Sequence, residues 1–520
     1  MNLKIIASIH EITPYNCFPR KRIMNRNLQL FICFWLIFIT VAAVYFTANA
    51  TMQGVLKFVI VIAELVASGM LLQKLMNLEG EWGMILLRDQ RGLKFIDSLA
   101  KKSPEKWKML ADLGLVLGFG LLAFFFIKDK KKEMLRNVCI VAVGILILLV
   151  VSFFIAPNLY AVTSSVIFSV DMGAASADLK EVTGGSSLFA WIALGALIVG
   201  GISMTAVMGI LMKGALVFIA IAEALLGNGA KLAQTAPGAT LIIPGINLPL
   251  FEGLIALAIL LVVHEGGHAV LARVAKIKLK SAGIVLLGVV PAGAFVDPDE
   301  KQLSKAEDTK QTRVLGAGSA ANIMTSIIAF ILLTGFIIGT EGMREDVMRI
   351  EKLGNASAEL SRQMPSGTLI YAINGKNIAD VTNLTFANNS EVMLKTASGD
   401  AKVKADSNGK LSGLAPFSVI YKDGGAIVVK GYKDGKADAL YGSWTFAWKK
   451  EYAWLWYPYC VLALLFVLNF LVGAINLMPI PIFDGHRILS INLKNQLAVN
   501  IITALVVAGF IANFLPWLVK

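Results

Sequence analysis

The pentapeptide His264-Glu265-Gly266-Gly267-His268 is the stretch of this chain best equipped for chemistry. Positions four apart share one helix face, so on a helix the two imidazoles can ligate one Zn²⁺ while Glu265 acts as base on the water such an ion activates. That is the arrangement of a hydrolase. Short patterns match by chance, but this one lies inside an almost unbroken apolar run from Gly253 to Ala275. An ionisable residue at membrane depth costs about 2.5 to 3.5 kcal/mol on insertion scales, so the cluster needs a compensating purpose, and metal ligation supplies one.

A catalytic zinc usually takes three protein ligands and keeps one position open. Of the four histidines, His10 lies in the N-terminal tail, which leaves His486 and the nearby carboxylate Asp484 as late candidates for the third ligand. They follow Asn476-Leu477-Met478-Pro479-Ile480-Pro481-Ile482-Phe483. Two prolines cannot continue a regular helix, and broken backbone at membrane depth is tolerated where it is buried in protein or lines a wet cavity. Hydrolysis needs such a cavity.

The elements that must position these groups are membrane spans. The 520 residues are 56% hydrophobic and 16% charged, the composition of a polytopic α-helical membrane protein rather than a soluble enzyme. About ten candidate spans are expected, at 28–48, 54–75, 109–127, 137–156, 188–211, 213–227, 251–275, 314–340, 455–478 and 497–518. The net charge of +13 is spread beside these runs instead of forming a patch interleaved with aromatics, so it reads as topology signal and contact with the lipid bilayer, and no nucleic acid is implied. Four scattered cysteines, with no C-x-x-C spacing, indicate neither a disulfide framework nor a Cys zinc site.

Between the spans, residues 87–108 suit an amphipathic helix on a membrane surface. Residues 281–296, too interrupted for a clean span, suit either a re-entrant hairpin with a usable strand edge or an ordinary interfacial loop. From 341 to 452 the composition shifts to polar residues with short apolar stretches, such as 368–373 and 426–429, and the turn dipeptide Asn374-Gly375. A small β-rich extramembrane domain is expected there, inserted between two spans.

The combination of H-E-x-x-H in one membrane helix with N-L-x-P-x-P-x-x-D-G far downstream resembles the site-2 protease family of intramembrane zinc metalloproteases. Gly293-Ala294-Phe295-Val296 resembles that family's G-x-F-V stretch, and Gly316-Ala317-Gly318-Ser319-Ala320-Ala321-Asn322 its A-G-P-x-x-N stretch. The resemblance covers about 240–518, and within it the insert is similar to a PDZ-like domain, mainly through 367–378. It implies one Zn²⁺ per chain on His264, His268 and Asp484, Glu265 as general base, and Asn476 holding the substrate backbone. It further implies transmembrane proteins as substrates, peptide bonds in or near their membrane segments as the target, and the cell membrane as location. The expected organisation is a multi-span region of unassigned role at 1–230, the core with the histidine helix at 240–340, the PDZ-like domain at 341–452 and the last core spans at 453–520. Phe483, His486 and Ser319 depart from the family pattern at Leu, Gly and Pro, without removing a ligand. Two other classes stay open from the residues alone: a transporter or ion-binding protein using the same cluster, and a non-proteolytic scaffold. The position of Glu265 beside the first histidine favours hydrolysis, because transport has no need of that spacing.

Overall fold

The computed structural model describes residues 26–49, 54–88, 91–127, 135–142, 187–227, isolated positions between 232 and 248, and then 249–352, 368–377, 391–396, 399–404 and 441–518. These fall into two compact units, residues 1–87 with 284–292, and residues 88–283 with 293–520.

In the first unit, helices α1 (Arg26–Asn49) and α2 (Gly54–Met76) pack together and are followed by the short antiparallel strands β1 (Gly80–Glu81) and β2 (Met84–Arg88). The turn between the strands lies flat on α2: a Cβ on Gly83 would come within 2.5 Å of the Val66 carbonyl, so only glycine fits. Cys33, Leu72 and Ile85 form the core here, with Leu286 and Val289 packed against them.

The second unit holds α3 (Arg91–Lys102), α4 (Pro104–Phe119), α5 (Ser187–Leu225), α6 (Leu250–Val274), α7 (Asp308–Gly339), α8 (Trp456–Asn476), α9 (Asp484–Asn492) and α10 (Gln496–Ala512). Helix α7 is its axis, packed along α4, α6 and α8. The contacts use small residues, as lipid-embedded helices do where backbones approach closely. A Cβ on Gly267 of α6 would sit 2.5 Å from the Ala317 carbonyl of α7, and one on Gly473 of α8 would sit 3.2 Å from the Ser319 carbonyl. Between α4 and α7 runs a buried ion pair, Arg313 Nε to Asp112 Oδ1 at 2.7 Å and Nη2 to Oδ2 at 3.0 Å.

Strands β3 (Leu279–Leu287) and β4 (Val290–Pro298) turn at Gly288, whose φ is +62°. The tip of this hairpin belongs to the first unit and its base to the second. In the sheet order β1-β2-β3-β4, β4 is an outer strand. The interrupted segment 281–296 is therefore a hairpin rather than an irregular loop.

The polar insert is a second antiparallel sheet, made of β5 (Arg344–Lys352), β6 (Leu369–Ile373), β7 (Lys376–Asn377), β8 (Glu391–Thr396), β9 (Gly399–Lys404) and β10 (Tyr441–Trp448) in the order β10-β5-β6-β8-β9, with β7 paired to β6. The expected Asn374-Gly375 turn forms between β6 and β7, with φ of +47° and +77°. The strand expected at 426–429 lies outside the described residues. The insert begins and ends on the paired strands β5 and β10, and Trp448 at the end of β10 is buried among Leu260, Leu333 and Tyr459.

Seven helices among the described residues are long and apolar enough to cross a membrane: Asn27–Thr47, Val59–Met76, Pro104–Phe126, Leu194–Leu225, Leu250–Val274, Asp308–Gly339 and Lys450–Asn476. Among the described residues the expected ten are not reached. The expected break at Lys213 is absent, because lysine is a good helix former; helix α5 runs through it and kinks at Gly201 instead. There Gly201, with φ +63°, lies on the backbone of Gly118, leaving no room for a side chain. Residues 137–156 lie mostly outside the described residues. The last apolar segment makes a helix of only 17 residues before Asn513, and a 3-10 turn containing Pro516 follows. A further correction concerns α3: its apolar side, Leu93, Ile96, Leu99 and Ala100, packs on Ala269, Val270 and Leu271 of α6 rather than being left for lipid.

Candidate metal centre and active site

Helix α6 is capped at its end by Lys276 in the left-handed region, with the Ile277 N–H donating back to the Ala272 carbonyl at 2.8 Å. Arg273 in its last turn complements the helix dipole and pairs with Asp97 of α3. One turn earlier the helix presents His264 and His268 on one face, with ring centroids 4.8 Å apart.

Asp484 arrives from the opposite side. After α8 ends, the Pro479 and Pro481 segment makes tight turns, with the Ile480 N–H on the Met478 carbonyl and the Phe483 N–H on the Ile480 carbonyl, each at 2.8 Å. Helix α9 then starts at Asp484 itself. A Cβ on Gly485 would collide with the Leu477 carbonyl, which explains why an Asp-Gly pair begins this helix.

The three sequence-designated ligands meet. His264 Nε2 and His268 Nε2 are 3.2 Å apart, and Asp484 Oδ2 is 3.6 Å from the first and 3.3 Å from the second. Their side chains are only 12%, 15% and 18% exposed. Three tetrahedral ligands about 2.0 to 2.1 Å from a zinc ion lie about 3.4 Å from one another, so the triangle has the size zinc requires. Among the described residues, this is the group able to hold a metal; His486, one residue past Gly485, is not part of it. Burial pushes the Asp484 carboxyl up, but the His268 and His264 imidazoles more than offset this and hold it below the usual carboxylate range.

The tautomers fit as well. His268 Nδ1 lies 2.8 Å from the Val314 carbonyl, which can only accept, so Nδ1 carries the proton and Nε2 offers its lone pair to the centre. His264 Nδ1 lies 3.1 Å from the Asn322 side-chain amide nitrogen, while the Asn322 Oδ1 is buried with no partner. Turning the amide over puts Oδ1 on the His264 Nδ1–H, gives the orphaned oxygen its hydrogen bond and frees Nε2 as a ligand. Space is reserved too: a Cβ on Gly318 of α7 would lie 2.8 Å from His264 Nε2, inside the triangle's immediate surroundings.

Glu265 points to the hairpin. Its Oε2 accepts the backbone N–H of Val296 at 3.0 Å. Asn476, the last residue of α8, is partly buried at the start of the turn that leads to Asp484. The sequence marks Asn322 only as part of a stretch and carries no signal for the Val314 carbonyl or the Gly318 clearance.

Apolar spans around a buried His, His, Asp triangle with a neighbouring glutamate define a polytopic membrane protein with a metallopeptidase-type metal centre. The sequence matches Peptidase family M50 over residues 252–515, just over half the chain, and the protein belongs to that family of membrane metalloproteases, which use zinc. It is also similar to a protein of Methanocaldococcus jannaschii described as "Uncharacterized protein MJ0971", with 33% identity over 135 residues. That match covers 26% of this chain and 34% of the relative, about a third of its length.

Proposed function

We propose that the protein is an intramembrane zinc endopeptidase that cuts membrane-tethered proteins in or near their transmembrane segments, the chemistry of regulated intramembrane proteolysis. The observation that carries this reading is the bond between Val296 and Glu265. In an antiparallel strand, the N–H and C=O of one residue face the same side. The Val296 N–H faces Glu265, so β4 turns its outer edge toward the proposed base at this residue.

A helix in lipid exposes no free carbonyl and must unwind before cleavage. An unwound segment added to the β4 edge would have its backbone bonds satisfied while its carbonyls pass the centre. His264, His268 and Asp484 would hold one zinc, with the orientation of the imidazoles set by Asn322 and Val314. Bound there, zinc supplies a water acidic enough to act as a nucleophile near neutral pH and polarises the scissile carbonyl. Glu265 takes the proton from the attacking water and returns it to the leaving amine. Asn476 would hold the far side of the substrate backbone. The β-rich insert is read as a PDZ-like filter or sensor for substrates, and the membrane concerned as the cell membrane.

The test is zinc content and cleavage of a model single-span protein by detergent-purified enzyme, parent against Glu265→Gln. Zinc in both with cutting by the parent alone supports the reading. Zinc in both with no cutting across varied substrates favours a transporter or a scaffold.

A further inference from the structure

Three consecutive residues of α7 reach three different elements. Thr312 Oγ1 accepts from Asn492 Nδ2 of α9 at 2.9 Å, Arg313 grips Asp112 of α4 with two nitrogens, and the Val314 carbonyl meets His268 Nδ1 of α6 at 2.8 Å. Successive helical residues point about 100° apart, so one turn can address three neighbours. Two of those neighbours carry the ligands, since α9 begins with Asp484 and α6 bears both histidines. The third neighbour, α4, lies outside the family-matched segment 252–515 and carries no ligand.

We infer that the Asp112–Arg313 pair is a positioning device for the metal centre, by which α4 holds α7 at the rotation and height where the Val314 carbonyl orients His268. The inference rests on the zinc reading above. The side chains of Asp112 and Arg313 are 5% and 8% exposed, and a two-pronged guanidinium–carboxylate bond fixes both direction and distance, unlike a point-charge contact. Buried ion pairs are commonly no more stabilising than well-packed apolar residues of similar size, so stability alone gives little reason to bury one between two membrane helices. The contact that surrounds the pair leaves α7 little freedom once it is set. Gly114 of α4 abuts Ala320, and a Cβ on Gly316 would be 2.5 Å from Leu115. The turns of α7 registered by α4 are thus the turns that carry Val314 and Gly318. Asp112 and Arg313 act through α7, and neither is placed at the reacting atoms.

The experiment measures zinc affinity by chelator competition, and the visible spectrum of the cobalt-substituted protein, for the full-length parent, Asp112→Asn, and the apolar double variant Asp112→Leu/Arg313→Met in detergent. The expected result is zinc affinity about tenfold lower or more for Asp112→Asn, in the range seen when partners of metal ligands are removed, with a shifted cobalt spectrum. The double variant is expected to melt near the parent temperature and yet keep the weakened affinity and shifted spectrum. A double variant that regains parental zinc affinity and spectrum along with its melting temperature overturns the inference, because the pair is then structural only. An Asp112→Asn protein with parental affinity and spectrum overturns it as well. If the parent itself takes up no zinc, the zinc reading fails first and this inference falls with it.

Discussion

The backbone N–H of Val296 donates to Oε2 of Glu265 at 3.0 Å, tying the proposed base to the outer strand of the hairpin. A hydrogen bond to a charged group is worth about 1.5 to 3 kcal/mol, roughly 10- to 100-fold in a rate if the bond holds the carboxylate where it must act. Val296→Pro deletes the donor and blocks the strand edge, while Val296→Ala keeps both. Cleavage is expected to fall at least about tenfold in the first and stay near parental in the second, with zinc stoichiometry unchanged in both. Equal activities would show that this bond holds nothing the reaction uses.

The two glycines between the histidines face different surroundings. A Cβ on Gly266 meets nothing within 4 Å, whereas one on Gly267 would lie 2.5 Å from the Ala317 carbonyl. Gly266→Ala should be neutral or stabilising by up to about 1 kcal/mol through helix propensity. Gly267→Ala should cost about 1 to 3 kcal/mol by forcing α6 and α7 apart. Melting temperatures of the two variants in one detergent decide the matter.

Gly318 makes a sharper case. An alanine there is favourable for a helix, so α7 should form normally, but the added carbon crowds both ligand nitrogens of the histidine pair. Gly318→Ala is expected to stay folded and to lose zinc by about 100-fold in affinity or more, measured by chelator competition; that size follows from the sensitivity of metal sites to changes around their ligands.

How much of this was readable beforehand depends on what kind of group does the work. The i, i+4 histidines and Asp484 could be read because side-chain identity and helical spacing announce them. Val314 could not, since every residue has a carbonyl and only the fold says which one meets an imidazole. Asn322 sat in a recognisable stretch, but its partner His264 is on another helix. The sequence suggests two spans divided at Lys213, while the structure has one helix whose break, at Gly201, is dictated by backbone contact with Gly118. The side of α3 that looks suited to lipid is a protein contact for a related reason: amphipathicity reveals an apolar face but not what covers it.

Zinc affinity should fall on acidification. Asp484 is held below the usual carboxylate range, so it remains ionised while pH falls from 7 toward 4, and its contribution to the folded state, present above the unfolded carboxyl value, is lost only as pH drops through its depressed one. The two histidines must be neutral to ligate, and protons compete with the metal for them. Affinity should therefore fall as pH drops, with up to about two protons taken up by the imidazoles for each zinc lost. A zinc affinity that does not change as pH falls would contradict ligation by the two histidines.

Asn322 gives the prediction that bears most directly on the metal. Its amide nitrogen faces His264 Nδ1 while its oxygen lies buried without a partner, an arrangement that a bound zinc should reverse, because His264 can then give Nε2 to the ion and its Nδ1 proton to the amide oxygen. Asn322→Asp retains an acceptor at that position and Asn322→Leu removes it at similar size. The aspartate variant should keep zinc affinity within a few-fold of the parent, and the leucine variant should lose about 10- to 100-fold. Both variants should hold parental zinc if His264 needs no acceptor on Nδ1. Should both variants lose zinc alike, the amide nitrogen rather than the oxygen would be the group that orients His264 in the loaded protein.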